Sequence, residues 1–390
     1  MWSIMEPRLY PTEFQNMVAL FVSRFLFVGV CSCFAMTAVM CSVCGQLPAE
    51  HDQLRLNELQ IIGSHNSYHV APEPELMKFI ELGGKRVAES IDYTHPTLTE
   101  QLNQGIRQFE LDVYADPEGG LFANPLGLQI LRDAGKEPQY VPNRDGRLLK
   151  PGLKIIHDPI FDYVTRNETF LDALQEIDRW SQENSDHVPI FVMVELKEKT
   201  AVASALKLVP FDRAQLLGVD SEIRAGIATE RLLTPDDFRG SHASLRDAIR
   251  MDGWPRLRDC RGKIFFALDN EGAVRDRYLE DNPSLEGRAM LASVGPDHPA
   301  AAFRKLNDPF GQFDEIRQSV EQGLIVRTRA DASTFQARNN DPSQREKAIS
   351  SGAQYVSTDY WNADPRFSDY QVRFEKNNLV RPNPKAASPK

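Results

Sequence analysis

Eight short β-rich runs, each separated from the next by a longer polar or helix-patterned stretch, constrain this chain more than any other feature. They are Leu59–Gly63, Gln108–Tyr114, Leu153–His157, Pro189–Glu195, Lys263–Asp269, Ala289–Val294, Leu324–Thr328 and Gln354–Thr358. Helical sequence lies between them at Thr99–Gly105, Glu168–Ser181, Ser241–Arg250, Phe313–Gly323 and Pro342–Gly352. In the second of these, Phe170, Leu171, Leu174 and Ile177 recur three and four apart, the spacing of one helix face. Asp341-Pro342 reads as a cap followed by proline at the first helical position, and Gly323 and Gly352 stand where helices stop. Strand and helix in alternation imply parallel pairing, because parallel neighbours need a crossover long enough to bring the chain back. Eight such units with no duplicated half, and no G-x-G-x-x-G after the first run, point to an α/β fold of the (β/α)8 TIM-barrel type rather than an open doubly wound sheet. The long stretch from Lys197 to Gly262 reads as a helical insertion between strands 4 and 5. A single barrel domain is expected over residues 52–378.

The chain ends differ from this middle. No charge occurs from Phe25 to Cys44, and Val18–Val22 extends the apolar run beyond Arg24, so residues 1–45 read as a signal peptide or N-terminal membrane anchor. Val43-Cys44-Gly45 resembles a cleavage site, and a start at Met17 would make Arg24 the positive charge of an ordinary signal. The protein is therefore expected to be exported, either secreted or periplasmic after cleavage, with anchoring as the alternative. Four of the five cysteines fall in this segment; the remaining one, Cys260, rules out an intrachain disulfide framework or a cysteine zinc site in the rest of the chain. Residues 379–390 are Pro-rich and polar and read as a flexible tail. A net charge of −10, without any block of five Lys or Arg, argues against nucleic acid as a partner, and no obligate protein partner is evident.

The reactive groups of a barrel sit at the C-terminal ends of its strands, and here those ends are rich in ionisable side chains. The first run leads into Ser64-His65-Asn66-Ser67-Tyr68-His69, the second carries Glu110 and Asp112, the third ends in His157-Asp158, and the fourth ends in Glu195 with Lys197 beyond. Asp269, Arg327, Arg329, Asp359 and Tyr360 continue the set. Strand side chains alternate between faces, so Glu110 and Asp112 share a face, as do Glu195 and Lys197, and Arg327 and Arg329. Two neighbouring acids repel unless positive charge lies between them. Either two separate buried cations neutralise them, or a hard cation is bound by Glu110, Asp112, Glu195 and the amide oxygen of Asn66, a donor set suited to calcium. His69, His95, His187, His242 and His298 occur in turn-like contexts and read as solvated or capping residues.

Gly-Ser-His-Asn-Ser-Tyr at 63–68, Phe-Glu-Leu-Asp at 109–112, the strand-end His157 and Val-Glu-Leu-Lys at 194–197 resemble the catalytic domain of phosphoinositide-specific phospholipase C, in particular its compact secreted bacterial calcium-dependent members. The resemblance implies that His65 and His157 are catalytic and that Asn66, Glu110, Asp112 and Glu195 bind Ca2+. It also makes Lys197, Arg327, Arg329 and Tyr360 candidates for binding a phospholipid headgroup at a membrane surface. The implied reaction is cleavage of phosphatidylinositol-type lipids by attack of the inositol hydroxyl, giving diacylglycerol and a cyclic or open inositol phosphate. Glycerophosphodiester phosphodiesterases share Glu-x-Asp and His-Asp at these strands but begin with His-Arg-Gly, where this chain has His65-Asn66-Ser67. A barrel that binds phosphate or calcium without turnover is a third reading, and the two strand-end histidines argue against it.

Overall fold

Eleven strands form two sheets in the computed structural model, which describes residues 45–200 and 206–386. The leader expected at 1–45 lies, apart from Gly45, outside the described residues. The strands are β1 (Leu59–Ser64), β2 (Gln108–Tyr114), β3 (Lys154–Ile155), β4 (Ile190–Leu196), β5 (Leu232–Leu233), β6 (Ile264–Leu268), β7 (Met290–Ala292), β8 (Phe303–Lys305), β9 (Ile325–Arg329), β10 (Tyr355–Thr358) and β11 (Val380–Pro382). One sheet runs β11-β1-β10-β9-β8; the other runs β3-β2-β4-β6-β5, with β7 also on β6. Every ladder is parallel except β1 with β11 and β2 with β3. This is a mixed α/β fold built on sheets of parallel strands.

Helices fill the connections. They begin with α1 (Pro74–Gly83), α2 (Lys85–Ser90), α3 (Leu98–Asn103), α4 (Leu126–Asp133) and α5 (Phe170–Glu183). The Thr97 hydroxyl accepts from the Glu100 N–H while Glu100 reaches back to Thr97, a reciprocal cap that starts α3. Thr169 caps α5 in the same way through the Asp172 N–H. Phe170, Ala173, Leu174 and Ile177 then form the buried stripe of α5. Helices at Leu245–Met251, Phe313–Glu321 and Ser343–Ser350 match the remaining expected segments. Between β4 and β6 the chain forms Arg213–Gly226, Pro235–Arg239, Leu245–Met251 and Leu257–Cys260, with β5 among them. None of the described helices is long and apolar enough to cross a membrane.

Aromatic side chains join the sheets. Phe191 of β4 lies 4.8 Å from Phe265 of β6 between ring centroids, 5.5 Å from Phe303 of β8 and 4.6 Å from Tyr355 of β10. All four are buried, so one cluster packs the inner faces of both sheets together. On one flank, a single parallel bridge between Ser293 and Phe303 links the end of β7 to β8. On the other, Gln108 Nε2 donates to the Ser64 carbonyl, and Gly63 leaves room for the Gln108 side chain, which a Cβ there would meet at 1.9 Å.

Three expectations need correction. Leu153–His157 contributes only the two-residue β3, which pairs antiparallel to β2, with Val113 opposite Ile155. An apolar run reports burial but not strand direction. Phe303–Lys305 is a parallel strand that the sequence did not announce, because two of its three residues are charged. Part of the supposed C-terminal tail is ordered, with Val380 opposite Ile61 and Pro382 opposite Leu59. Cys260 is buried, and burial pushes its thiol up to about 12, which suits packing rather than reactivity.

Candidate active site

Strand register assembles the acids. β2 and β4 pair so that Asp112 lies opposite Glu195, and Glu110 sits two residues back on the same face as Asp112. Carboxylate oxygens of Glu110, Asp112 and Glu195 all lie within 4.8 Å of one another. Burial pushes the Glu110 carboxyl up to about 8 against the pull of Arg327, and burial together with Asp112 pushes Glu195 up to about 7. Two cations face this cluster. Arg327 pairs with Glu110, while Lys197 Nζ stands 3.2 Å from Asp112 and 3.4 Å from Glu195. Burial would lower the Lys197 pKa, but Asp112 and Glu195 together hold it above its ordinary value.

When all three acids are ionised, the two cations leave the cluster short of positive charge. Apart from the Lys197 ammonium 3.2 Å from Oδ2, the buried Asp112 carboxylate has no hydrogen-bond partner among the described residues, and the buried Asn66 Oδ1 has none either. Such groups are costly unless something else meets them. Asn66 adopts φ 42°, a left-handed conformation that asparagine tolerates, and its Nδ2 donates to Tyr93 Oη at 3.0 Å, leaving Oδ1 as the unused end. Its neighbour Ser67 is tied to β2: the Ser67 N–H donates to the Glu110 carbonyl, and Ser67 Oγ accepts from the Glu110 N–H, both at 2.9 Å. Unsatisfied oxygens, clustered carboxylates and no thiolate form a donor set that fits calcium.

Two histidines stand beside the acids. His65 Nδ1 is 2.9 Å from Asp359 Oδ1, and its Nε2 is 3.7 Å from Glu110 Oε1. Burial, and then Arg329, lower the His65 pKa to about 4, against the opposing pull of Asp359. His157 follows β3, and its Nδ1 is 2.6 Å from Asp162 Oδ2. Burial alone would lower the pKa of His157, but the Asp162 carboxylate outweighs it and raises it. His157, Glu195 and Lys197 line a cleft of about 690 Å³, with Tyr114 and Asp158 beside them and Ile80, Val87, Ile91 and Phe161 forming an apolar wall.

The expected headgroup residues behave differently from one another. Arg329 does reach the histidine, with a guanidinium nitrogen 3.2 Å from His65 Nδ1. Arg327 and Lys197 are engaged with the acids, so the two buried cations weighed as an alternative are both present. Tyr360 is not brought to the acids. It is 2% exposed and packs edge-on against Phe367 and Tyr370, because at the end of β10 its ring turns into the core. The sequence reading also passed over several histidines. His69 and His95 are fully buried beside the site, not solvated: His69 meets Asp162, and His95 Nε2 donates to the His65 carbonyl at 2.8 Å. His187 is buried against Ser181 Oγ, whereas His242 pairs with the exposed Asp252. Recurrence of histidine at 65 and 69 within one polar loop, and an acid five residues after His157, were the available signals.

Clustered carboxylates, two nearby histidines and an open cleft are the parts from which a metal-assisted active site can be built. Residues 54–384 match the model of the family described as phosphoinositide phospholipase C, Ca2+-dependent, and the chain belongs to that family. It is accordingly a calcium-dependent phosphodiesterase acting on phosphoinositides. Among solved structures, it is similar to a calcium-dependent phosphoinositol-specific phospholipase C from a Gram-negative bacterium, Pseudomonas sp., in an apo crystal form, at 16% identity and a TM-score of 0.53 over 87% of this chain and 99% of that one. The myo-inositol complex of the Pseudomonas enzyme gives 16% identity and a TM-score of 0.54 over the same shares. No curated protein matches the sequence.

Proposed function

We propose that this enzyme cleaves phosphatidylinositol-type lipids by attack of an inositol hydroxyl on the adjacent phosphorus. The observation that carries the reading is the cluster of Glu110, Asp112 and Glu195, accompanied by His65, His157 and the unpartnered Oδ1 of Asn66 on the loop after β1. Asn66, Glu110, Asp112 and Glu195 would hold Ca2+, which when bound would supply a Lewis acid to the attacking hydroxyl and the phosphoryl group. Glu195, a third exposed at its side chain, accepts the hydroxyl proton. The freed oxygen forms a bond to phosphorus as the bond to the diacylglycerol oxygen breaks. His157, held through Nδ1, delivers the Nε2 proton to that departing oxygen. Asp359 keeps the Nδ1 proton of His65, and the arriving phosphate anion favours a proton on Nε2, where it stabilises the phosphoryl oxygen. Lys197 and Arg329 orient the phosphate and headgroup.

The architecture supports this arrangement. β1, β2, β4, β6, β7, β8, β9 and β10 form the eight staves of one barrel, with the Ser293–Phe303 bridge and the Gly63–Gln108 contact as its seams. The stretch between β4 and β6 is an insertion on this frame. Phe79, Leu82 and Val87 on α1 and α2 are exposed beside the apolar wall of the cleft, a surface suited to resting on lipid. Export by the N-terminal segment brings the enzyme to such membranes, and the mass of the mature N-terminus tests this. Hydrolysis of phosphatidylinositol and of glycerophosphocholine, each with and without chelator, tests the reaction. Chelator-sensitive release of inositol phosphate from the first substrate is expected, whereas turnover of the second alone would overturn the assignment.

A further inference from the structure

A second polar cluster lies behind His157. Asp162 follows it by five residues in a tight reversal, where Asp158 and Asp162 exchange both backbone hydrogen bonds at 3.1 Å. The reversal turns the Asp162 carboxylate back under the imidazole, so that Oδ2 meets His157 Nδ1 at 2.6 Å. The same carboxylate is gripped from the opposite side by His69 Nε2, 3.0 Å from Oδ1 and 2.9 Å from Oδ2. His69 is itself fixed, because its Nδ1 lies 3.0 Å from the Tyr93 carbonyl and its ring stacks on Tyr93 at 4.3 Å between centroids. Both ring nitrogens of His69 therefore face acceptors. His69 and Asp162 are buried, while His157 is partly open to the cleft. These separations are hydrogen-bond contacts between the three groups, not ligands opened around an ion.

Which nitrogen of an imidazole faces a substrate as proton donor is set by what the other nitrogen meets, and a buried carboxylate there fixes both tautomer and orientation. We propose that Asp162, anchored by His69, is the positioning residue that occupies His157 Nδ1 and presents His157 Nε2 to the cleft. The inference rests on the reading of His157 as the acid that protonates the leaving group. It also links two loops: His69 belongs to the segment after β1 that carries His65 and Asn66, and Asp162 to the segment after β3. The array thereby couples the aim of one histidine to the loop of the other.

The test compares two substrates of the calcium-loaded full chain, phosphatidylinositol and an inositol phosphodiester whose leaving group is nitrophenolate, which departs without a proton. Asp162→Asn is expected to lower kcat on phosphatidylinositol by about 10²-fold or more, with KM within about threefold, and the loss should shrink below about tenfold on the nitrophenyl substrate. His69→Ala should show the same pattern more weakly, and His69→Gln, which keeps a donor toward Asp162, should recover at least about threefold over alanine. His157→Ala separates the two claims. If it slows both substrates equally, the acid assignment is wrong. If it shows the leaving-group dependence and Asp162→Asn does not, the positioning role alone is overturned. Nitrogen-15 NMR of the unsubstituted protein decides the matter even if Asp162→Asn fails to fold. A His157 protonated on both nitrogens at low pH that keeps its proton on Nδ1 when titrated to the neutral form supports the proposal, and a neutral form with the proton on Nε2 and Nδ1 bare refutes it.

Discussion

Calcium binding to this enzyme should be coupled to proton release. Burial holds Glu110 at about 8 and Glu195 at about 7, so near neutrality the calcium-free protein keeps protons on groups that must be ionised to bind the cation. Affinity should therefore rise by on the order of 10²-fold between pH 6 and pH 8. Isothermal calorimetry in buffers of different ionisation enthalpy should find more than about one proton released per calcium at pH 6.5 and well under one at pH 8.5. Glu195→Gln should weaken binding and reduce the release at the acid end. The sign extends to stability. These carboxyls are raised from a reference of 4.5, so the folded state binds more protons than the unfolded one between that value and about 8, and without calcium their contribution to stability falls as pH rises through this window. Calcium should therefore raise Tm more at pH 8 than at pH 6. Affinity that changes less than threefold between pH 6 and 8, with no buffer dependence of the heat, would refute the reasoning.

His65→Ala and His157→Ala should each slow phosphatidylinositol cleavage by about 10²–10⁴-fold in steady-state assays, and near-normal turnover of either would remove it from the mechanism. Exchanging the exposed Phe79 and Leu82 for serine should reduce sedimentation with phosphatidylinositol vesicles at least fivefold, by order of magnitude, while leaving turnover of a soluble monomeric substrate within about twofold. Equal losses on both substrates would count against a docking surface. Phe191→Ala empties the centre of the aromatic cluster that joins the sheets and should cost about 3–5 kcal/mol in denaturant unfolding. A cost below about 1 kcal/mol would mean that the sheets do not depend on it.

Strands buried on both faces were legible as runs of apolar residues: Ile190–Leu196 and Ile264–Leu268 announce themselves in this way. Phe303-Arg304-Lys305 does not, because its strand character comes from pairing with β9, not from its own pattern. Leu153–His157 shows the converse, an apolar run whose direction depends on a partner distant in the chain. Glu110, Asp112 and Glu195 were readable because two-residue alternation on a strand tells which side chains share a face. Nothing comparable exists for loops. His69 and His95 look locally like turn residues, and only tertiary packing buries them against Asp162 and the His65 carbonyl. Tyr360 shows the limit of reading a strand end: following Asp359 in sequence, it turns to the other side of the backbone and packs on Phe367 and Tyr370.

The partners of β1 have a consequence for how the molecule is made. Its two ladders are with β10 and β11, both roughly three hundred residues downstream, so β1 lacks these partners until those strands have been synthesised. Contacts of such long sequence separation slow folding, because the intervening chain must lose its freedom before any of them forms. Deletions from the C-terminus that reach Val380 should therefore disturb the far end of the sequence, the strand that leads into His65 and Asn66.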